Sequence, residues 1–127
     1  MYDKNNIFAK MLRGEVPFHS PVYENEYAVS FLDLYPATEK HALVIPRGEY
    51  ENILDFTKNA SPAEQAGFWE CFNKTAEILG VRENFNVSAN AGADAPVLRQ
   101  SVFHFHLHIM AGARLPYFEE VLKELNK

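Results

Sequence analysis

The segment Gln100-Ser101-Val102-Phe103-His104-Phe105-His106-Leu107-His108-Ile109-Met110 alternates histidine with large apolar residues. Alternate side chains of a β-strand share a face, so the pattern predicts a strand over 102–110. His104, His106 and His108 then point one way, spaced by about 6.5–7 Å along the strand. Phe103, Phe105, Leu107 and Ile109 point the other way, into a core. A helix would scatter these imidazoles around its circumference.

The flanking chain supplies the partners that such a strand needs. Ile7 with Met11 and Phe8 with Leu12, followed by Gly14, predict a short helix over 5–13. The stretch 17–21 reads as loop. The stretch 23–34 reads as extended, with a charged turn at Glu24-Asn25-Glu26 and an end at Pro36. His41-Ala42-Leu43-Val44-Ile45 is a further strand closed by Pro46, and the two extended stretches suit an antiparallel hairpin. Ser61-Pro62-Ala63-Glu64 is a helix start, with a cap, a proline at the first helical position and a capping-box glutamate. Phe68, Phe72, Ala76 and Leu79 line one face of that helix over 62–79, and Gly80 stops it. Phe85 to Ala89 alternates as a strand, 90–96 is loop, and 117–125 carries the apolar stripe of a terminal helix. Helix, paired strands, helix, paired strands, helix predicts an α+β fold on an antiparallel sheet.

Composition removes most other classes. At 127 residues, the chain is expected to form a single domain over 1–127. Its net charge of −5 makes it a poor general binder of nucleic acid or anionic membrane, although one small anionic ligand is still compatible. Cys71 is the only cysteine, which excludes an intrachain disulfide scaffold and a four-cysteine zinc site and suits a reducing compartment. With no apolar leader at the N-terminus and no run long enough to span a bilayer, a cytoplasmic protein is expected.

The row of histidines has three readings. It is a half-exposed polar face, a metal site, or a catalytic row acting on an anionic group. Positions i, i+2 and i+4 of a straight strand converge poorly on one ion with bonds of about 2.1 Å, and no carboxylate lies within the run. Neutral imidazole can attack phosphorus while neighbouring imidazole, hydroxyl and amide donors balance phosphate charge. Ser101 and Asn90 supply neutral donors of that kind.

His104-Phe105-His106-Leu107-His108-Ile109-Met110 resembles the His-x-His-x-His pattern of the histidine triad superfamily, and specifically its Hint-like purine nucleoside phosphoramidase branch. Other blocks match in order. Phe31-Leu32-Asp33-Leu34-Tyr35-Pro36 and His41-Ala42-Leu43-Val44-Ile45-Pro46-Arg47 resemble the family's upstream block. Asn6-Ile7-Phe8-Ala9-Lys10 with Arg13-Gly14-Glu15-Val16-Pro17 resembles its N-terminal helix. Asn90, Gly92 and Gln100-Ser101-Val102 resemble its approach to the triad, so the likeness covers about residues 5–112.

The resemblance implies a HIT-like fold with a five-stranded antiparallel sheet and two main helices. It implies a homodimer paired through the longer helix and a strand, a purine nucleotide substrate (an AMP or GMP derivative), and no cofactor or metal. His106 takes the place of the family's nucleophile, which attacks the α-phosphorus of a nucleoside 5′-phosphoryl compound to give a nucleotidyl-imidazole that water hydrolyses. His108 is implied to contact phosphate and leaving group, His104 and His41 to orient the site, and Ser101 to lie near the leaving nitrogen. Asn90 is implied to touch phosphate, with Gln100 beside it. Asp33 is implied to accept the ribose hydroxyls, and Ile7, Phe8, Leu32 and Leu34 to form the cleft around the base. A carboxylate can accept both donors of a ribose diol, and flat apolar walls suit a purine. A dinucleoside polyphosphate hydrolase with the same nucleophile and a regulatory nucleotide-binding module are the competing functions.

Three departures stand out. Asn6 and Ala9 occupy the positions where some members carry Cys-x-x-Cys for a structural zinc. Ala95-Pro96-Val97-Leu98-Arg99 replaces the family's Gly-Gly before Gln-Ser, placing a longer loop and a positive charge near the phosphate. The family's Trp-Pro-Pro-Gly-type tail is replaced by 116–127.

Overall fold

The computed structural model describes residues 1–116 and 118–120. Among these, helix α1 is Ile7–Leu12, followed by strands β1 (Pro21–Glu24), β2 (Ala28–Leu32) and β3 (Thr38–Pro46). Helices α2 (Ile53–Asn59) and α3 (Pro62–Leu79) come next, then β4 (Phe85–Ser88) and β5 (Leu107–Arg114). The strands form one antiparallel sheet in the order β1-β2-β3-β5-β4, the α+β arrangement expected.

Local chemistry sets the helix ends. Asn6 Oδ1 accepts the Ala9 N–H at 2.9 Å and starts α1. Ser61 and Glu64 close the expected capping box on α3, and Gly80 ends it in the left-handed conformation at φ 76°. The sequence reading missed α2, a helix of 7 residues whose Asn52 side chain caps the Asp55 N–H. Its single buried contact, Phe56, leaves too little periodicity to detect, although Asn52 is a recognisable cap.

The sheet separates two apolar layers. Ala28, Val44, Leu107, Ile109 and Ala111 pack with Phe56, Phe68 and Cys71 on the face covered by α2 and α3. Val29, Phe31, Leu43 and Ile45 lie on the other face, against Phe8 and Met11 of α1. Phe56 and Phe68 are fully buried, and burying such a side chain stabilises a fold by about 1.5–3 kcal/mol. Gly67 lets α3 approach the β1–β2 turn, where Asn25 Nδ2 donates to the Gly67 carbonyl at 2.8 Å.

The histidine segment departs from expectation. The strand begins only at Leu107, and residues 101–106 have irregular backbone. Side-chain and loop bonds take the place of the ladder there: the Phe105 N–H donates to the Tyr50 carbonyl at 2.7 Å, and the His104 ring is fully buried and bonded at both nitrogens. Phe103, expected in the core, is exposed. The expected helix over 117–125 lies mostly outside the described residues; positions 118–120 are helical.

Candidate active site

The tautomer of each imidazole traces back to a backbone carbonyl, which can only accept, or to a backbone N–H, which can only donate. His104 Nε2 lies 2.8 Å from the Pro46 carbonyl, so it carries the proton and donates. Its Nδ1 then accepts from the Tyr2 hydroxyl at 2.6 Å. His106 Nδ1 lies 2.8 Å from the His104 carbonyl and must likewise donate. That leaves the His106 Nε2 lone pair free. Phe8 packs edge-on against the His106 ring at a centroid distance of 5.1 Å and limits its rotation.

The second pair is fixed from β3. The Ala37 N–H donates to His41 Nδ1 at 2.8 Å, so the neutral His41 ring carries its proton on Nε2. That proton points to His108 Nδ1 at 2.9 Å, with Asp33 Oδ2 at 3.4 Å from the same nitrogen. His108 is therefore protonated at Nε2, a buried atom without a hydrogen-bond partner among the described residues. Ser88 Oγ, on the residue paired with His108 across β4 and β5, is also buried and unpartnered. Two such atoms on neighbouring positions of one sheet face are unusual without a polar ligand to meet them.

Burial keeps the imidazoles neutral. It lowers the His106 pKa below the ordinary imidazole value, while the His104 carbonyl and the Asp33 charge pull it back. His104 is pushed down to about 4, chiefly by burial. His108 is pushed down to about 3 by burial, with the neighbouring His106 and His41 adding to the effect. His41 is also lowered by burial, against the opposing pull of Asp33.

His106 and His108 open onto a cavity of about 420 Å³. Among the residues singled out from sequence, Ile7, Phe8, Leu32, Asp33, Leu34 and Ser101 also line it. His41 stands behind His108, and His104 behind His106. Gln100 does not face the cavity. Its amide is spent on the Gly92 N–H at 3.0 Å and on the Glu51 and Val102 carbonyls, bracing the loop that precedes the triad. Asn90 is half-buried beyond the end of β4 and is not on the cavity wall. Met11, Val16 and His19 are among the lining residues that sequence reading missed. Met11 carried a helical-spacing signal, whereas His19 in its proline-bounded loop carried none.

Asp33, His41 and His108 bring their ligand atoms within 4.8 Å of one another, the spacing of a metal site. Their hydrogen bonding argues against that use. His41 Nε2 bears a proton because the Ala37 N–H occupies Nδ1, and a protonated nitrogen has no lone pair for an ion.

Comparison with known proteins agrees with this geometry. Residues 14–115 match the HIT domain. The chain is 42% identical over 115 residues to an uncharacterised 13.2 kDa HIT-like protein of Azospirillum brasilense, covering 90% of this chain and 91% of that one. It is 37% identical to Protein hit of Bacillus subtilis, covering 84% of this chain and 70% of that one. Among solved structures, a HIT family hydrolase from Clostridium thermocellum superposes with a TM-score of 0.72 at 30% identity, covering 87% of this chain and 93% of that one. A histidine triad protein from Clostridium difficile superposes with a TM-score of 0.71 at 33% identity, covering 91% and 97%. The HIT-domain match spans β1 through β5 and includes the whole imidazole cluster, so the chain belongs to the HIT family.

Proposed function

We propose that this protein is a nucleotide hydrolase that cleaves purine nucleoside 5′-phosphoramidates through a covalent nucleotidyl-His106 intermediate. The observation that carries this reading is the pairing of a free His106 Nε2 lone pair with an unpartnered His108 Nε2–H on one cavity wall.

His106 Nε2 attacks the α-phosphorus, and the phosphorus–nitrogen bond to the leaving amine breaks. The ring becomes cationic as the new bond forms. The Nδ1–H bond to the His104 carbonyl strengthens with that charge, so it favours the transition state over the ground state. His108 Nε2–H donates to a phosphoryl oxygen. The departing amine takes up a proton from solvent water, relayed through the exposed Ser101 hydroxyl on the cavity wall, and the water that later attacks phosphorus gives a proton back. Water then attacks phosphorus, releases the nucleoside monophosphate and returns His106 to the neutral ring. Asp33 accepts the ribose hydroxyls, and Ile7, Phe8, Leu32 and Leu34 flank the base. The chemistry needs no cofactor or metal.

One observation favours a dinucleoside polyphosphate as the alternative substrate. The Gln100–Gly92 bonds close a loop that carries exposed Arg99 two residues before Ser101, where it can meet a longer phosphate chain. The protein is further proposed to act as a cytoplasmic homodimer. β4 is an edge strand with Val87 exposed, and α3 exposes Trp69 and Ile78. Light scattering of the purified protein tests the dimer.

The deciding assay follows AMP release from adenosine 5′-phosphoramidate and from diadenosine tetraphosphate, with EDTA, for wild type and His106→Ala. Release from the phosphoramidate that is lost in the variant supports the first substrate. Release chiefly from the tetraphosphate moves the substrate to the second. Equal rates in wild type and variant exclude His106 as nucleophile. AMP binding without turnover on either substrate leaves a regulatory nucleotide-binding module.

A further inference from the structure

The His106 nucleophile sits on backbone that no strand ladder holds, since residues 101–106 precede β5. Its aim depends on the carbonyl of His104, which receives the Nδ1 proton at 2.8 Å. What fixes residue 104 therefore fixes the nucleophile. One anchor is the bond from His104 Nε2 to the Pro46 carbonyl at the end of β3. The other comes from the far end of the chain: the Tyr2 hydroxyl lies 2.6 Å from His104 Nδ1, with the two rings edge to face at 5.7 Å.

We infer that Tyr2 is a positioning residue for the His106 nucleophile, acting by donating to His104 Nδ1. The inference rests on the proposed function, because it concerns the aim of that reaction's attacking atom.

The His104 ring is fully buried, and among the described residues only the Tyr2 hydroxyl satisfies its Nδ1. With that donor removed, Nδ1 is a buried acceptor without a partner. The ring can regain one only by turning, which breaks the bond to Pro46, or by admitting water. Either change loosens residue 104 and hence the carbonyl that orients His106. Burial raises the Tyr2 phenol above its ordinary value, so it stays a donor throughout the working pH range.

Tyr2 is itself held in place. Asn6, the cap of α1, ties back to Asp3 through its side chain at 2.7 Å, and Arg13 Nη1 donates to the Lys4 carbonyl at 2.7 Å. The same helix carries Phe8, whose ring contacts both His104 and His106. The start of the chain thus belongs to the frame of the active site: α1 lines the cavity with Ile7, Phe8 and Met11, and Tyr2 acts from behind it through His104.

Tyr2→Phe keeps the ring and removes the hydroxyl. Tyr23→Phe is the control, since it removes a hydroxyl bonded to Glu70 outside the cavity lining. The readouts are kcat and KM on adenosine 5′-phosphoramidate, AMP affinity, and 15N spectra of the imidazole nitrogens. Tyr2→Phe is expected to lower kcat by about five- to twentyfold with KM and AMP affinity unchanged. The His104 Nδ1 resonance should shift, and His106 should no longer show a single tautomer. Unchanged kcat, or an equal loss in Tyr23→Phe, overturns the inference, as does a lowered melting temperature with an unmoved His106 tautomer. If wild type releases no AMP from any substrate, the proposed function fails on its own. The His106 tautomer in Tyr2→Phe then decides this inference separately, and an unchanged tautomer overturns it.

Discussion

His41 Nε2 donates to His108 Nδ1 across 2.9 Å, and the Ala37 N–H on the other side of the His41 ring leaves no second neutral arrangement. His41 cannot pass that proton on without becoming an anion, so it orients rather than relays. Its effect is to hold the His108 Nε2–H toward substrate. His41→Ala is expected to lower kcat by up to about 100- to 1000-fold, the range for losing one transition-state donor outright, with a smaller change in KM. Steady-state and single-turnover rates on one phosphoramidate check this. A rise in KM alone would place His41 in ground-state binding instead.

The nucleophile must be neutral to attack. Burial lowers the pKa of His106 below the ordinary imidazole value of 6.5. The acid limb of kcat/KM is therefore expected below pH 6.5, with the rate level from there to neutral pH. A pH–rate profile from pH 4 to 8 measures it. A limb at or above 6.5 would mean that a different group attacks.

The same burial makes stability depend on pH. His104 titrates near 4 when folded and near 6.5 when unfolded, so the unfolded chain binds more protons between those values. The stabilisation is complete above about pH 6.5 and drains away as the pH falls toward 4. Each pH unit in that window costs about 1.4 kcal/mol per histidine still neutral in the fold. His106, His108 and His41 shift in the same direction, so their losses add. Thermal melts between pH 7.5 and 4.5 should show a steep fall, and His104→Gln should make it shallower.

Gly67 separates helix propensity from packing. Alanine is favoured over glycine within a helix by about 1 kcal/mol. A Cβ at Gly67 would stand 2.6 Å from Tyr27 Cδ2 and 2.8 Å from Tyr27 Cβ. The second atom lies next to the backbone and cannot swing away. Gly67→Ala is expected to destabilise by about 1–3 kcal/mol, read from urea unfolding. A stabilised variant would show that the β1–β2 turn yields easily.

Much of this site was legible before the structure because its chemistry and its periodicity coincide. His106, His108 and Asp33, which the ordered motifs single out, line one cavity, and α3 begins and ends at its caps. The alternation of histidine with apolar residues misled in one respect. A period of two states which side chains would share a face if the backbone were extended, but not where a ladder begins. Here the buried His104 ring, tied to Tyr2 and Pro46, takes the place of the ladder, and those partners lie 102 and 58 residues away. No local pattern announces a bond of that range. Gln100 is turned from the cavity by a bond of similar range: its side chain meets Glu51, whose approach is set by α2, the helix that periodicity did not reveal.

Asp33 gives the most discriminating test of the substrate. Its Oδ1 accepts the Tyr35 N–H at 2.9 Å, which turns the carboxylate toward the cavity, and its Oδ2 lies 3.4 Å from His41 Nε2. It could therefore serve a ribose directly or act through His41. Hydrogen bonds to a charged group contribute about 1.5–3 kcal/mol each, so two of them to a diol set KM strongly. Asp33→Ala is expected to raise KM for adenosine 5′-phosphoramidate by about 10- to 1000-fold. The same variant should leave KM for the 2′,3′-dideoxy analogue nearly at the wild-type value, because that substrate never engaged the carboxylate. Comparing both substrates on both proteins isolates the coupling between the diol and residue 33. An equal rise for both substrates, with a matching fall in kcat, would assign Asp33 to the support of His41 and leave ribose recognition to another part of the cavity.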